Sequence, residues 1–260
     1  LGKKTKNSKI KVVQVGEGAD ELFYGYDHWN RYLKLNKFFK PFFKSTKKYS
    51  SFKNHRLNML SNILFNRTSF AGGALGFNLK ELDSLIEDGL PNHSDLIFYA
   101  DNKWKDYFSN KNSKISKWMT LIDLKIRLPE LLLMRMDKLV MQSAVEARVP
   151  FLDHKLVEYV LSLPEELLID LTNTKSLLKK VALKYLPDQI INRKKQGFRA
   201  PIGEWIKKDE EKFYESVQQF NSLVNLFNER ELNHILNGND YQKKWYLINL
   251  SNWHLARVAN

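Results

Sequence analysis

Residues 11–15, Lys-Val-Val-Gln-Val, form a β-branched run that Gly16 and Gly18 interrupt. The pattern predicts a short buried strand and a glycine turn. Asp20 and Glu21 then open a helical pattern running toward Leu35. Strand, turn and helix make half of a βαβ unit. Few other strand candidates follow, which places most of the sheet upstream of Leu1. Residues 37–70 suit short helices and loops, residues 31–110 read as a variable helical insert, and Ala71-Gly72-Gly73-Ala74 is a flexible break. From Asn78 onward the pattern is helical. Asp95 to Phe108 and Ser116 to Met141 carry apolar residues at three and four spacing, with Pro129 dividing the second stretch. Pro150 and Pro164 bound a helix centred on His154 to Leu163. Thr174 caps a helix from Lys175 to Leu186 that Pro187 ends, and Pro201 starts one containing Trp205. A last helix covers Tyr241 to Val258. The fold class is α/β, mostly α-helical.

Composition narrows the functional classes. The chain has 260 residues, 43% hydrophobic and 13% aromatic, enough for a sizeable core. It has no cysteine, which excludes a disulfide scaffold, a thiolate metal site and a cysteine nucleophile on these residues. The strongly apolar stretch Leu128 to Met134 contains Glu130 and is far shorter than the roughly 20 residues of a membrane span. No signal peptide opens the chain, which starts at Leu1 and reads as a piece of a longer, cytoplasmic polypeptide without a membrane partner. The net charge is +13, concentrated in residues 1–11 and 31–56, which hold no acid. A basic stripe can serve nucleic acid or an anionic surface. Here it is built of lysine far more than arginine, whereas base and bidentate phosphate recognition favour arginine, so a nucleic-acid partner is disfavoured.

Five segments carry candidate chemistry. In Val15-Gly16-Glu17-Gly18-Ala19-Asp20-Glu21, glycines after a strand let backbone approach a phosphate, and three carboxylates crowd one turn. Such crowding suits a hard cation such as Mg²⁺; the alternative is that Asp20 and Glu21 only complement a helix dipole. Arg127, Glu130, Arg135, Asp137 and Lys138 punctuate a greasy helix, where Arg135, Asp137 and Lys138 could form a structural ion network; Glu146 and Arg148 could pair locally. Lys175 at a helix N-terminus opposes the dipole, which makes sense if an anion is held there, and otherwise is a surface lysine. Arg193-Lys194-Lys195-Gln196-Gly197-Phe198 reads as a basic loop with a glycine hinge able to close over phosphates, or as an ordinary exposed loop. The six histidines lack the paired spacing of a zinc site.

In this order the segments resemble the synthetase domain of glutamine-dependent asparagine synthetases. The resemblance rests on Val-Gly-Glu-Gly-Ala-Asp-Glu-Leu-Phe-Tyr-Gly-Tyr (15–26), Glu-Ala-Arg-Val-Pro-Phe-Leu-Asp (146–153), the Lys-x-Leu-Leu helix followed by Arg-Lys-Lys-Gln-Gly-Phe, and Trp-Tyr-Leu-x-Asn-Leu-x-x-Trp (245–253). It implies the C-terminal part of an adenine-nucleotide α-hydrolase-like (ATP pyrophosphatase) doubly wound domain. It also implies an ATP-dependent amide ligase that converts aspartate to asparagine through an aspartyl-adenylate and glutamine-derived ammonia. By the same resemblance Val15, Gly16 and Gly18 line the nucleotide site, Asp20 binds Mg²⁺ and Glu17 is the general base toward ammonia. Glu21 positions ammonia or amino acid, Lys175 neutralises phosphate charge, Arg135 is a basic group of the cleft, and Lys194, Lys195 and Gly197 close over phosphate. The implied cofactors are ATP and Mg²⁺.

Three departures shape the expectations. The family's Ser-Gly-Gly-x-Asp-Ser loop and its glutaminase domain are not within these residues, which places both upstream and predicts that the isolated chain is inactive. Val15 stands where the family usually has Ser, and Tyr24 where it usually has Gly. The replacement at Val15 leaves room for a related adenylating amidotransferase acting on another carboxylate, such as a surface-polysaccharide precursor. The reading is compatible with a homodimer. A non-catalytic basic binding module is the alternative from another class.

Overall fold

The computed structural model describes residues 2–39, 76–90, 114–193 and 200–258. They divide between two compact units, one from 2–39 and 114–193, the other from 76–90 and 200–258.

In the first unit, β1 (Val12–Gln14) pairs in parallel with β2 (Glu146–Arg148), in the register Val12↔Glu146, Val13↔Ala147 and Gln14↔Arg148. The ladder continues through Glu146 N donating to Lys11 O at 2.8 Å and Val15 N donating to Arg148 O at 2.9 Å. β1 is shorter than expected and is not buried, since Val12 is 40% exposed. A parallel strand is buried when layers cover both faces; here only Val13 and Ala147 are half-covered. β2 was not anticipated. Glu-Ala-Arg has no β-branched residue, and its pairing is imposed by a partner more than a hundred residues away.

The helix expected from Asp20 to Leu35 is two pieces, Ala19–Leu22 and Asp27–Phe39. Tyr24 between them takes a left-handed φ of 55°, and Gly25 N donates back to Asp20 O at 2.8 Å, closing the first turn. The second helix buries Trp29, Asn30, Tyr32 and Leu33, an i, i+3, i+4 face. It packs on Ile115–Ile122, which buries Trp118, Met119 and Ile122. The tyrosine ring of Tyr24 meets Trp29 edge-on, centroids 5.5 Å apart.

Pro129 does not divide the next segment. Ile115–Ile122 runs into an i→i+5 winding over Asp123–Leu133 and then into the α-helix Met134–Met141. Proline lacks the N–H and crowds the preceding turn of an α-helix; the wider winding gives it room. The helix between the prolines forms as predicted, at His154–Ser162. Asp153 Oδ1 caps it, accepting from Lys155 N at 3.0 Å and Leu156 N at 3.3 Å. After the short helix Glu165–Leu168, the helix expected from Lys175 to Leu186 is only Ser176–Ala182, and the residue in its N-cap position is Lys175, not Thr174. Pro187 stands beyond its end and opens the short helix Asp188–Ile191.

The second unit is helical: Leu79–Leu85, Ile202–Lys208, Glu210–Val224, Glu229–Asn237 and Tyr241–Val258. The Pro201 start and the last helix stand as predicted. Asn78 and Glu81 form a reciprocal capping box. Leu85, Ile206, Val217, Phe220, Leu232 and Ile248 form the core. Lys244 is buried there against the rings of Tyr214 and Tyr241 and reaches Glu210 at 3.3 Å. Of residues 31–110, only 31–39 and 76–90 are described; Ala71 to Ala74 and Asp95 to Phe108 lie outside the described residues. Among the described residues no helix is long and apolar enough to cross a membrane.

Candidate active site

The turn after β1 gathers the acidic residues. Val15 is half-buried and held to β2 through its amide, while Gly16 is exposed. A Cβ on Gly16 would meet nothing within 4 Å, so its backbone faces open space. Gly18 is constrained. Its φ is +91°, and a Cβ there would fall 2.7 Å from Leu152 Cγ. The helix that follows, Ala19–Leu22, has four residues. Its dipole is small, and the case for an anion site rests on side chains rather than on that helix.

Lys175 reaches this turn from the far end of the unit. Its Nζ lies 2.9 Å from Asp20 Oδ1, with both side chains 27% exposed. The backbone of Lys175 is left-handed, φ 56°, a conformation that disfavours any residue with a Cβ. Gly25 makes the approach possible: a Cβ there would overlap the Asp20 carboxylate and the Lys175 chain. Glu17 lies three residues before Asp20, at most about 11 Å along the chain. Glu17 and Asp20 thus lie on one turn, which Lys175 reaches at Asp20.

Glu17 is half-exposed. Burial raises its carboxyl above the ordinary value, the neighbouring Glu21 and Asp20 add to this, and Arg135 and Arg127 oppose it. Arg135 acts on the turn through its charge, from an exposed place on Met134–Met141. Glu21 departs from the expectation that it faces ammonia or amino acid. Its side chain is 2% exposed and committed inward, accepting a hydrogen bond from the Tyr26 hydroxyl at 2.6 Å. Arg127 stands 3.9 Å from the same oxygen, donates to Tyr26 Oη at 2.9 Å and forms an ion pair with Asp123. Asp123 is fully buried, and that burial raises its pKa to about 6 against the pull of Arg127. Burial, with Glu21 adding to it, pushes the Tyr26 phenol well above its usual range.

Tyr26, Asp123 and Arg127 had no assigned role in the sequence. The available signal was Asp123 and Arg127 at i, i+4 on an apolar face. Glu146 and Arg148 do pair locally, at 2.8 Å, on the exposed edge of β2. Arg135, Asp137 and Lys138 are all exposed and form no ion network among themselves, because they are solvated rather than buried. Lys194, Lys195 and Gly197 lie outside the described residues.

Among the described residues, no group of three or more His, Asp or Glu side chains is placed to hold a metal ion. Mg²⁺ at nucleotide sites is commonly held by one or two carboxylates, substrate phosphates and water. Asp20, one partly exposed carboxylate beside a lysine, fits that mode rather than an all-protein cage.

Residues 1–255 match the family model for asparagine synthase. Asparagine synthetase (glutamine-hydrolysing) 1 of Bacillus subtilis (strain 168) is 29% identical over 83% of this chain and 35% of its own length. A Mycobacterium bovis protein provisionally named asparagine synthetase (glutamine-hydrolysing) is 30% identical over 96% of this chain and 40% of its own length. Asparagine synthetase (glutamine-hydrolysing) 3 of Bacillus subtilis (strain 168) is 26% identical over 89% of this chain and 34% of its own length. No solved structure matches. The chain therefore spans between a third and two fifths of the length of these three relatives. The glycine-acid turn, the β2 segment and the tryptophan motif 245–253 all fall within the matched residues, and the chain belongs to the asparagine synthase family.

Proposed function

We propose that this chain is the synthetase portion of an ATP-dependent amide ligase. The aspartate β-carboxylate attacks the α-phosphorus of ATP, expelling pyrophosphate and leaving an aspartyl-adenylate. Ammonia, produced from glutamine by an upstream glutaminase domain of the same protein, attacks the acyl carbon; asparagine forms and AMP departs. The observation that carries this reading is the Lys175–Asp20 contact, which brings the lysine segment to the acidic turn.

Each residue has a place in that chemistry. Lys175 balances charge on the departing pyrophosphate, where a fixed cation in a partly dry site is worth most. Glu17 takes the proton lost by the attacking ammonia, and its raised proton affinity suits a base that must accept one. Val15, Gly16 and Gly18 supply backbone to the nucleotide, Gly16 from open space. Arg135 draws acidic substrate toward the turn. Asp20 would hold Mg²⁺ together with phosphate oxygens, and the bound ion would neutralise phosphate charge. Glu21 is assigned to support of the turn instead of substrate contact, because its side chain is buried. Lys194, Lys195 and Gly197 remain assigned to closure over phosphate.

The same reading makes the chain the C-terminal part of a doubly wound, adenine-nucleotide α-hydrolase-like domain in a cytoplasmic enzyme, with 31–110 as a variable insert. A homodimer is compatible with it. The experiment is an assay of the full-length protein with aspartate, ATP, Mg²⁺ and glutamine or ammonia. Asparagine, AMP and pyrophosphate in equal amounts support the reading. AMP released with a different carboxylate, and none with aspartate, would favour an amidotransferase on another acceptor, as Val15 in place of the usual serine suggests. No AMP with any carboxylate defeats both.

A further inference from the structure

Below the acidic turn lies a charge network that the proposed chemistry does not use. Arg127 is nearly buried, its side chain 13% exposed, and meets groups on three sides. It pairs with Asp123 one helical turn back, donates from Nη2 to the Tyr26 hydroxyl at 2.9 Å, and stands 3.9 Å from Glu21. Its guanidinium carbon is 4.7 Å from the centre of the Tyr26 ring. The Tyr26 hydroxyl relays the contact onward, donating to Glu21 at 2.6 Å. Thr120, one turn before Asp123, donates to the backbone carbonyl of Glu21 at 3.4 Å. Residue 21 is therefore gripped at both its carboxylate and its carbonyl by one face of the 115–133 segment.

A structural ion pair would need only Asp123 and Arg127, which are i, i+4 neighbours. Arg127 Nη2 is instead spent across the chain on Tyr26, whose hydroxyl holds Glu21 of the turn that carries Glu17 and Asp20. A planar guanidinium with several fixed donors imposes orientation that an ammonium does not. We infer that Arg127, clamped by Asp123, is a positioning residue of the amide-forming site, acting through Tyr26 and Glu21 on the turn that carries Glu17 and Asp20. The inference rests on the function proposed above. Arg127 makes no hydrogen bond to Glu17 or Asp20, so its effect passes through the placement of the turn.

The test uses the full-length protein and two measurements. Arg127→Met lowers kcat for amide formation by about 10²-fold and Tyr26→Phe by about 10-fold, with KM for ATP within about twofold of wild type. Arg127→Lys, which restores charge without the fork, falls between wild type and Arg127→Met. In the absence of substrates, amide exchange at residues 18–23 speeds about 10-fold in Arg127→Met while exchange in Tyr241–Val258 is unchanged. Wild-type kcat in both variants, or unchanged exchange at 18–23, overturns the inference. So does a joint loss of kcat, ATP affinity and global stability, the mark of a merely structural pair. If Arg127→Met does not fold, Tyr26→Phe, which keeps every charge, decides both measurements. A wild-type protein that forms no amide defeats the functional reading, and the exchange measurement then decides the inference alone.

Discussion

Lys175 Nζ sits 2.9 Å from Asp20 Oδ1, a contact between a strained N-cap lysine and a turn that follows β1. With both partners about a quarter exposed, the pair contributes about 0–1 kcal/mol to stability. A left-handed backbone at a lysine costs about 1–2 kcal/mol. The pair does not repay that conformation through stability, which points to placement of the ammonium as its use.

Lys175→Met is therefore expected to separate activity from stability. Adenylation by the full-length protein should fall about 10²–10³-fold, with a melting temperature close to wild type. Measuring pyrophosphate release beside thermal unfolding checks this. A large drop in melting temperature with retained turnover would reverse the assignment.

Glycine positions in the turn should respond differently from one another. Gly16→Ala meets open space and leaves folding unchanged, so any loss of nucleotide affinity reports contact with the ligand. Gly25→Ala drives a methyl into Asp20 and Lys175 and should lower turnover far more than nucleotide affinity. Gly18→Ala combines a disfavoured φ with a clash on Leu152, and is expected to destabilise by about 1–3 kcal/mol in urea unfolding.

Asp123 gives a pH prediction with a definite sign. Burial raises its pKa from 3.8 to about 6, so between those values the folded chain holds a proton that the unfolded chain has released. Stability from this group is fully present below pH 4 and is lost as pH rises through 6, in total on the order of 2–3 kcal/mol. Comparing urea midpoints of wild type and Asp123→Asn from pH 4 to pH 7 isolates the slope. Equal slopes in the two proteins would show that Asp123 titrates normally.

Lys244 serves as a control outside the first unit. Lys244→Ala leaves Glu210 and the Tyr214 hydroxyl without their cation and should cost about 1–3 kcal/mol in stability. Substrate affinities should stay unchanged, as read from kinetics well below the melting temperature.

The parts of this architecture that were legible are those specified locally. The glycine-acid turn announces itself through Gly16, Gly18 and three carboxylates, and the helix Tyr241–Val258 through its spacing of aromatics. The helix from His154 was legible because Pro150 and Pro164 bound it. What escaped was set by distant partners. Glu146–Arg148 becomes a strand only against Val12–Gln14. Lys175 takes the N-cap position in place of Thr174, and its ammonium meets Asp20. Glu21 reads as complementing a helix dipole or positioning substrate until Tyr26 and Arg127 are seen folded over it. Pro129 predicts a break only while the winding around it is assumed to be α-helical.

The contact between Asp20 and Lys175 also orders events in time. The acidic turn is synthesised before its lysine, which is about 150 residues further on, and closing a loop that long is slow compared with forming the helices between. A chain released short of residue 175 would carry the three carboxylates without the cation that pairs with Asp20. The proposed site is then completed only when residue 175 arrives, and products truncated before it are expected to lack adenylation.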